Sequence, residues 1–168
     1  AVNVGHQSAY GDDVVTDQAR SLVREHFGAG AEFFPVFNGT GANVVALQSV
    51  NQRWQSVICA ASAHIHVDEG GAPESMAGMK LWTVPTADGK LRPDDVQGQC
   101  FDMEFVHRAQ PGAVSITQSS EMGTVYSPDE VSALAEVAHA NNLALHMDGA
   151  RLSNAAASLR VPVRTFTA

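Results

Sequence analysis

Cysteine is scarce in this 168-residue chain: Cys59 and Cys100 are the only two, far apart and without a CxxC partner. A disulfide framework or a cysteine-based metal site is therefore not expected, and buried thiols in a reducing compartment are. Basic residues are few as well. Ten Lys and Arg stand against eighteen Asp and Glu, a net charge of −8 at pH 7, which argues against a nucleic-acid groove or an anionic membrane surface as the main partner. An anionic small molecule stays open, because a helix amino terminus binds phosphate locally whatever the global charge. No run approaches the ~20 apolar residues of a membrane span, and no signal-peptide pattern opens the chain. The expectation is a cytoplasmic protein of one domain, with enough apolar residues for a core.

What is present alternates. "TDQARSLVREHFG" places Ala19, Leu22, Val23 and Phe27 at helical spacing, with Gly28 as the stop. "AEFFPVF" reads as a short strand despite Pro35. "NGTG" leads into a helix over "ANVVALQSVNQRW", followed by strand-like "SVICA", polar "SAHIHVDEGGAPE" and strand-like "KLWTVP". A helix over "RPDDVQGQCFDMEFV" with Pro93 in its first turn precedes the strand "AVSIT". "SPDEVSALAEVAHANN" is the clearest helix: Ser127 caps it, Pro128 fits its first position and Glu130 closes a capping box. "LALHM" is the last strand and "ARLSNAAASL" the helix after it. Strands alternating with helices indicate an α/β layer fold with a mainly parallel sheet, and such sheets bind ligands beyond the carboxyl ends of their strands.

Three segments could carry chemistry. In "FNGTGAN", Gly39 and Gly41 let backbone approach a ligand, Thr40 adds a hydroxyl, and the following helix offers free N–H groups. The alternative is an ordinary turn using the same residues for conformational reasons. In "SAHIHVDEGG", His64 and His66, with Asp68 and Glu69 beside them, could bind zinc or manganese if the backbone is extended and both rings share a face. Equally, His64 could be an aromatic platform for a flat ligand, or the stretch a polar loop running into a helix. In "LHMDGARLSN", Asp148 could cap the helix behind it. It could also be a carboxylate with a cationic partner, such as a protonated pyridine nitrogen, with Arg151 following three residues later.

Taken in order, these segments resemble the threonine aldolase / β-eliminating lyase family of pyridoxal-phosphate enzymes (fold type I). "YGDDVVTDQARSLVREHFG", "NGTGAN", "SAHIHVDEGGAPE", "LRPDDV" and "LHMDGARLSNAAASLRVPV" carry the resemblance through nearly the whole chain. It implies a three-layer α/β/α arrangement with helices on both faces of the sheet. It also implies residue roles: backbone amides around Gly39, Thr40 and Gly41 on the cofactor phosphate, His64 stacked on the pyridine ring, and Asp148 paired with the ring nitrogen. Arg151 would lie near the cofactor's phenolic oxygen and the substrate carboxylate. The activity implied is retro-aldol cleavage of a β-hydroxy amino acid to glycine and an aldehyde, by a homodimer or homotetramer.

Two departures from the family pattern stand out. The Schiff-base lysine of the family lies roughly thirty residues beyond the aspartate, whereas this chain ends twenty residues past Asp148 and holds only Lys80 and Lys90. Many members also carry a histidine after the strand matching "VSITQ", where this sequence has Gln118, Ser119 and Ser120. The expectation is a truncated large domain, residues 1–168, without the amino-terminal segment, the lysine segment and the small carboxy-terminal domain, and inactive by itself. Three rivals are carried forward: another fold type I enzyme, a metal-dependent hydrolase using His64 and His66, and a non-catalytic binding domain.

Overall fold

The computed structural model describes residues 5–167, which fall into two compact units. Residues 5–35 with 161–167 form the first. Its helix α1 (Val14–Phe27) starts at Asp13, whose carboxylate accepts from the N–H groups of Val15 and Thr16, and stops at Gly28 (φ 110°) as the sequence predicts. Its expected apolar stripe is not buried: no residue of α1 is, and Leu22 stays exposed. A short 3-10 turn (Val163–Phe166) completes this unit, with Thr167 Oγ1 donating to the Phe27 carbonyl at 2.9 Å. The expected strand over "AEFFPVF" does not form. Proline has no N–H to give a ladder, and Phe34 and Phe37 on either side of Pro35 are exposed rather than packed.

Residues 36–160 form the second unit, around four parallel strands in the order β2-β1-β3-β4. These are β1 (Gln55–Ala60), β2 (Lys80–Val84), β3 (Gln110–Thr117) and β4 (Ala144–Asp148). Helix α2 (Gly39–Val50) precedes β1, helices α3 (His64–Val67), α4 (Ala72–Ala77), α5 (Pro93–Gln97) and α6 (Pro128–Ala140) lie between strands, and α7 (Leu152–Leu159) follows β4. Strand register puts Leu81, Val57, Ala113 and Ala144 in one row across the sheet. Leu47 of α2, Ile65 of α3 and Ala77 of α4 join Val57, Leu81 and Ala113 of that row in one buried cluster, so these helices cover this face. The other face presents Ile58, Val114 and Ile116, all buried. The crossovers from β2 to β3 and from β3 to β4 run opposite in direction to that from β1 to β2. Right-handedness therefore sends α5 and α6 to the second face. Helices lie on both faces, as the family resemblance implies.

The capping box is realised: Glu130 N–H donates to Ser127 Oγ at 3.2 Å, and Ser127 N–H to Glu130 Oε2 at 2.7 Å. Such a cap contributes about 1 kcal/mol. The helix expected over "RPDDVQGQCFDMEFV" shrinks to five residues ending at Gly98, and Asp102 and Glu104 beyond it take left-handed backbone that no helix accommodates. No helix among the described residues is long and apolar enough to cross a membrane.

Candidate functional site at the carboxyl ends of the strands

The chain leaves β1 toward β2 on one side and β3 toward β4 on the other. The carboxyl ends of β1 and β3 thus flank the point where the winding reverses, the place where open α/β sheets build ligand crevices. His64 lies four residues past the end of β1, Ser119 and Glu121 follow β3, and Asp148 is the last residue of β4. Asp148 follows Ala144 and His146 in strand alternation, so it shares the α2-covered face.

The aspartate is not a helix cap. Helix α7 begins at Leu152 with Arg151 in the cap position, and no side chain caps it. Asp148 Oδ1 instead accepts from Ala150 N–H at 3.0 Å, and Oδ2 accepts from Asn43 Nδ2 at 3.0 Å. Each oxygen keeps lone-pair capacity for a further donor. The Asn43 amide is buried and also donates to Glu69 Oε1 at 2.7 Å. That same oxygen meets His64 Nδ1 at 3.0 Å. His64 is 40% exposed while the Glu69 side chain is 0% exposed. The hydrogen bond to Glu69 raises the His64 pKa above the ordinary imidazole value, against desolvation and with help from the charges of Glu69, Asp148 and Asp68.

The paired-histidine geometry fails. "HIHV" is a turn of helix, not extended chain, so residues two apart point to different sides, and His66 is exposed while His64 faces Glu69. One polar atom each of His64, Glu69 and Asp148 lies within 4.8 Å of the others. The Asn43 N–H groups are bonded to both carboxylates of this cluster, which makes it a hydrogen-bonded network. Past it, Gly70 and Gly71 (φ 58° and 71°) turn the chain left-handed into α4, a conformation that favours glycine.

In "NGTG", Asn38 caps α2 by accepting from Gly41 N–H at 2.8 Å. The Gly41 amide is thereby committed, and the N–H groups of Gly39 and Thr40 are the first-turn donors without an intrahelical acceptor. A Cβ built on Gly39 would meet nothing within 4 Å, so the helix start opens onto free space. Arg151 is anchored from two sides: Nε donates to the Ser119 carbonyl and Nη2 to Glu121 Oε1, both at 2.9 Å. Gln118 and Ser120, in the segment that follows β3, hold the local backbone. Gln118 exchanges two hydrogen bonds with the Tyr126 backbone, and Ser120 Oγ lies 2.6 Å from Thr124 Oγ1. Both lysines are engaged elsewhere: Lys90 Nζ binds Glu130 at 2.6 Å, and Lys80 lies over Trp82 at the amino end of β2.

Behind Asp148, half-buried His146 places Nδ1 2.9 Å from Ser115 Oγ. Burial lowers its pKa, against the pull of Asp148 and Glu69. On acidification the unfolded chain takes up this proton first. His146 therefore costs stability as pH falls below ~6.5 toward its lowered folded value. His64, raised, works oppositely, stabilising below ~6.5 and losing that contribution as pH rises through its folded value. His146→Gln should thus reduce the drop in thermal midpoint between neutral and mildly acidic pH, measured by unfolding at stepped pH. An unchanged drop would show that His146 is not its source.

A parallel α/β sheet with polar side chains converging beyond the carboxyl ends of its strands defines the class: a layered α/β fold whose candidate site lies where such sheets take ligands. The chain belongs to the beta-eliminating lyase family, whose model matches residues 1–168. It is 45% identical over 158 residues to a low specificity L-threonine aldolase of Pseudomonas sp. (strain NCIMB 10558), covering 94% of this chain and 46% of that protein. It is 30% identical over 150 residues to the alanine racemase TOXG of Cochliobolus carbonum, covering 88% of this chain and 38% of that one. A solved threonine aldolase structure from Leishmania major superposes with a TM-score of 0.91 at 30% identity, over 97% of this chain and 48% of that one. The chain spans about half the length of the curated relatives it matches.

Sequence reasoning missed two members of the site. The motif "FNGTGAN" gives Asn43 no role beyond its place at a helix start, and nothing in the sequence singles out Glu121. An asparagine four residues before buried Leu47, hence on the same face of an otherwise apolar helix, is the signal that was available for the first.

Proposed function

We propose that the protein carrying this chain is a pyridoxal-phosphate-dependent carbon–carbon lyase that cleaves a threonine or allo-threonine type of β-hydroxy amino acid to glycine and an aldehyde. The observation that carries it is the 45% identity to a low specificity L-threonine aldolase across 94% of the chain. The residues present suit the cofactor. Gly39 and Thr40 offer uncommitted amides at a helix start that opens onto free space, fit for a phosphate. Asp148 keeps acceptor capacity for a protonated ring nitrogen, and the His64 ring is accessible enough to pack on a flat ligand.

When bound, the cofactor supplies an electron sink for negative charge at the substrate Cα. Asp148 holds the proton on the ring nitrogen, and Asn43 with the Ala150 N–H holds Asp148. His64 covers the ring. Arg151, steadied by Glu121 and Ser119, offers its remaining N–H groups to the phenolic oxygen and to the substrate carboxylate. Lys80 and Lys90 are engaged elsewhere, so the amine that activates the cofactor is expected outside these 168 residues, and the chain alone is expected to show no turnover.

The alanine racemase among the relatives supports a second reading, another reaction of the same cofactor class. Profiling the full-length protein with L-threonine, L-allo-threonine, phenylserine, tryptophan and alanine separates the two. Glycine and acetaldehyde released in equal amounts from threonine are expected. Racemisation or β-elimination without carbon–carbon cleavage would overturn the aldolase reading.

A further inference from the structure

Glu69 is a buried acid whose one ion-pair partner among the described residues is a histidine. Its side chain is fully buried, Oε1 takes both the Asn43 amide and His64 Nδ1, and Oε2 has no hydrogen-bond partner. Among the described residues no lysine or arginine pairs with it, and its one ion-pair partner is His64. Asn43 uses the two hydrogens of a single nitrogen to hold Glu69 at 2.7 Å and Asp148 at 3.0 Å. The two residues assigned to the cofactor ring, His64 and Asp148, are thus joined through two buried residues that need not touch the ligand.

We propose that Glu69 is a positioning residue acting through His64: it fixes the ring with Nδ1–H turned inward and Nε2 free for the ligand, and Asn43 ties this pair to Asp148. A carboxylate accepts only, so the nitrogen facing it carries the hydrogen, which sets the tautomer. Nε2 is then a lone-pair acceptor, or a second donor once the ring gains a proton. The charges around His64 favour that gain. Glu69 from the turn before α4, Asp68 at the end of α3 and Asp148 at the end of β4 are all acidic. His146, the other imidazole near Glu69 and Asp148, has its pKa lowered by burial and adds little opposing charge. The inference rests on the proposed function only in naming the ligand that Nε2 meets.

The test is nuclear magnetic resonance of His64 in the full-length protein free of cofactor, assigned with His64→Gln. In the wild-type protein the ¹⁵N shifts should report Nδ1 protonated and Nε2 bare above the titration midpoint, and that midpoint should lie above the ordinary imidazole value of ~6.5. In Glu69→Gln, whose amide oxygen can still accept from Nδ1, the midpoint should move to lower pH. Binding of pyridoxal phosphate, followed by absorbance, should persist. The opposite tautomer in the wild-type protein, which needs no substitution to observe, overturns the inference. So does a midpoint identical in wild type and a folded Glu69→Gln variant. A protein that binds no pyridoxal phosphate yet shows the expected tautomer and shift overturns the functional proposal and leaves the role of Glu69 supported.

Discussion

Asp148→Asn in the full-length protein is expected to lower turnover on the order of 10³-fold, ~4 kcal/mol of barrier, with a far smaller loss of stability. An asparagine keeps an oxygen for the Ala150 N–H but turns its NH₂ toward the Asn43 Nδ2 that the lost oxygen used to accept. Two facing donors, or one flipped amide, cost folding about 1 kcal/mol. No cap is lost, because α7 starts at Leu152 behind Arg151. The larger loss would follow from the proposed role of Asp148: a neutral amide would not hold a proton on the nitrogen of a bound pyridine ring, on which the cofactor's capacity as an electron sink would depend. Steady-state kinetics with threonine, beside chemical unfolding of both variants, give the comparison. Equal free-energy losses in activity and stability would mark the carboxylate as structural.

Local chemistry made much of this fold legible. The Ser127–Glu130 box, Pro93 and Pro128 in first turns and Gly28 at a helix end act within a few residues, and all appear where the sequence puts them. The alternation of elements was enough to expect a parallel sheet and a site at its carboxyl ends, where Asp148 stands. The failures have a different origin. "AEFFPVF" has strand composition but no ladder, and composition alone cannot supply a neighbouring strand. "HIHV" contains two histidines whose relation depends wholly on backbone period, and four residues of helix reverse the inference drawn from an extended chain. Asn43 meets Glu69 at a separation of 26 residues and Asp148 at 105, and Glu121 meets Arg151 at 30. Such partners follow from the strand order, which periodicity does not encode.

Arg151→Lys is the substitution that should separate anchoring from recognition, with kcat/KM for threonine falling on the order of 10²-fold, mostly through KM. A guanidinium has five N–H groups in a planar fork. Nε is spent on the Ser119 carbonyl and one Nη2 hydrogen on Glu121, which leaves both Nη1 hydrogens and one on Nη2 for a carboxylate or a phenolic oxygen. Glu121, with its side chain only 16% exposed and Oε2 unpartnered, is well placed to keep the fork from swinging. Lysine keeps the charge, and its ammonium can satisfy Glu121. Its three donors sit on one atom, so the same group cannot also reach the Ser119 carbonyl and grip a substrate carboxylate in two places. The loss therefore falls on binding, while cofactor affinity and the unfolding midpoint stay close to wild type. Glu121→Gln tests the anchor from the other side: with the fork freed from its charged partner, KM should change while cofactor affinity holds. A lysine variant with unchanged KM but weakened cofactor binding would move Arg151 from the substrate to the cofactor alone.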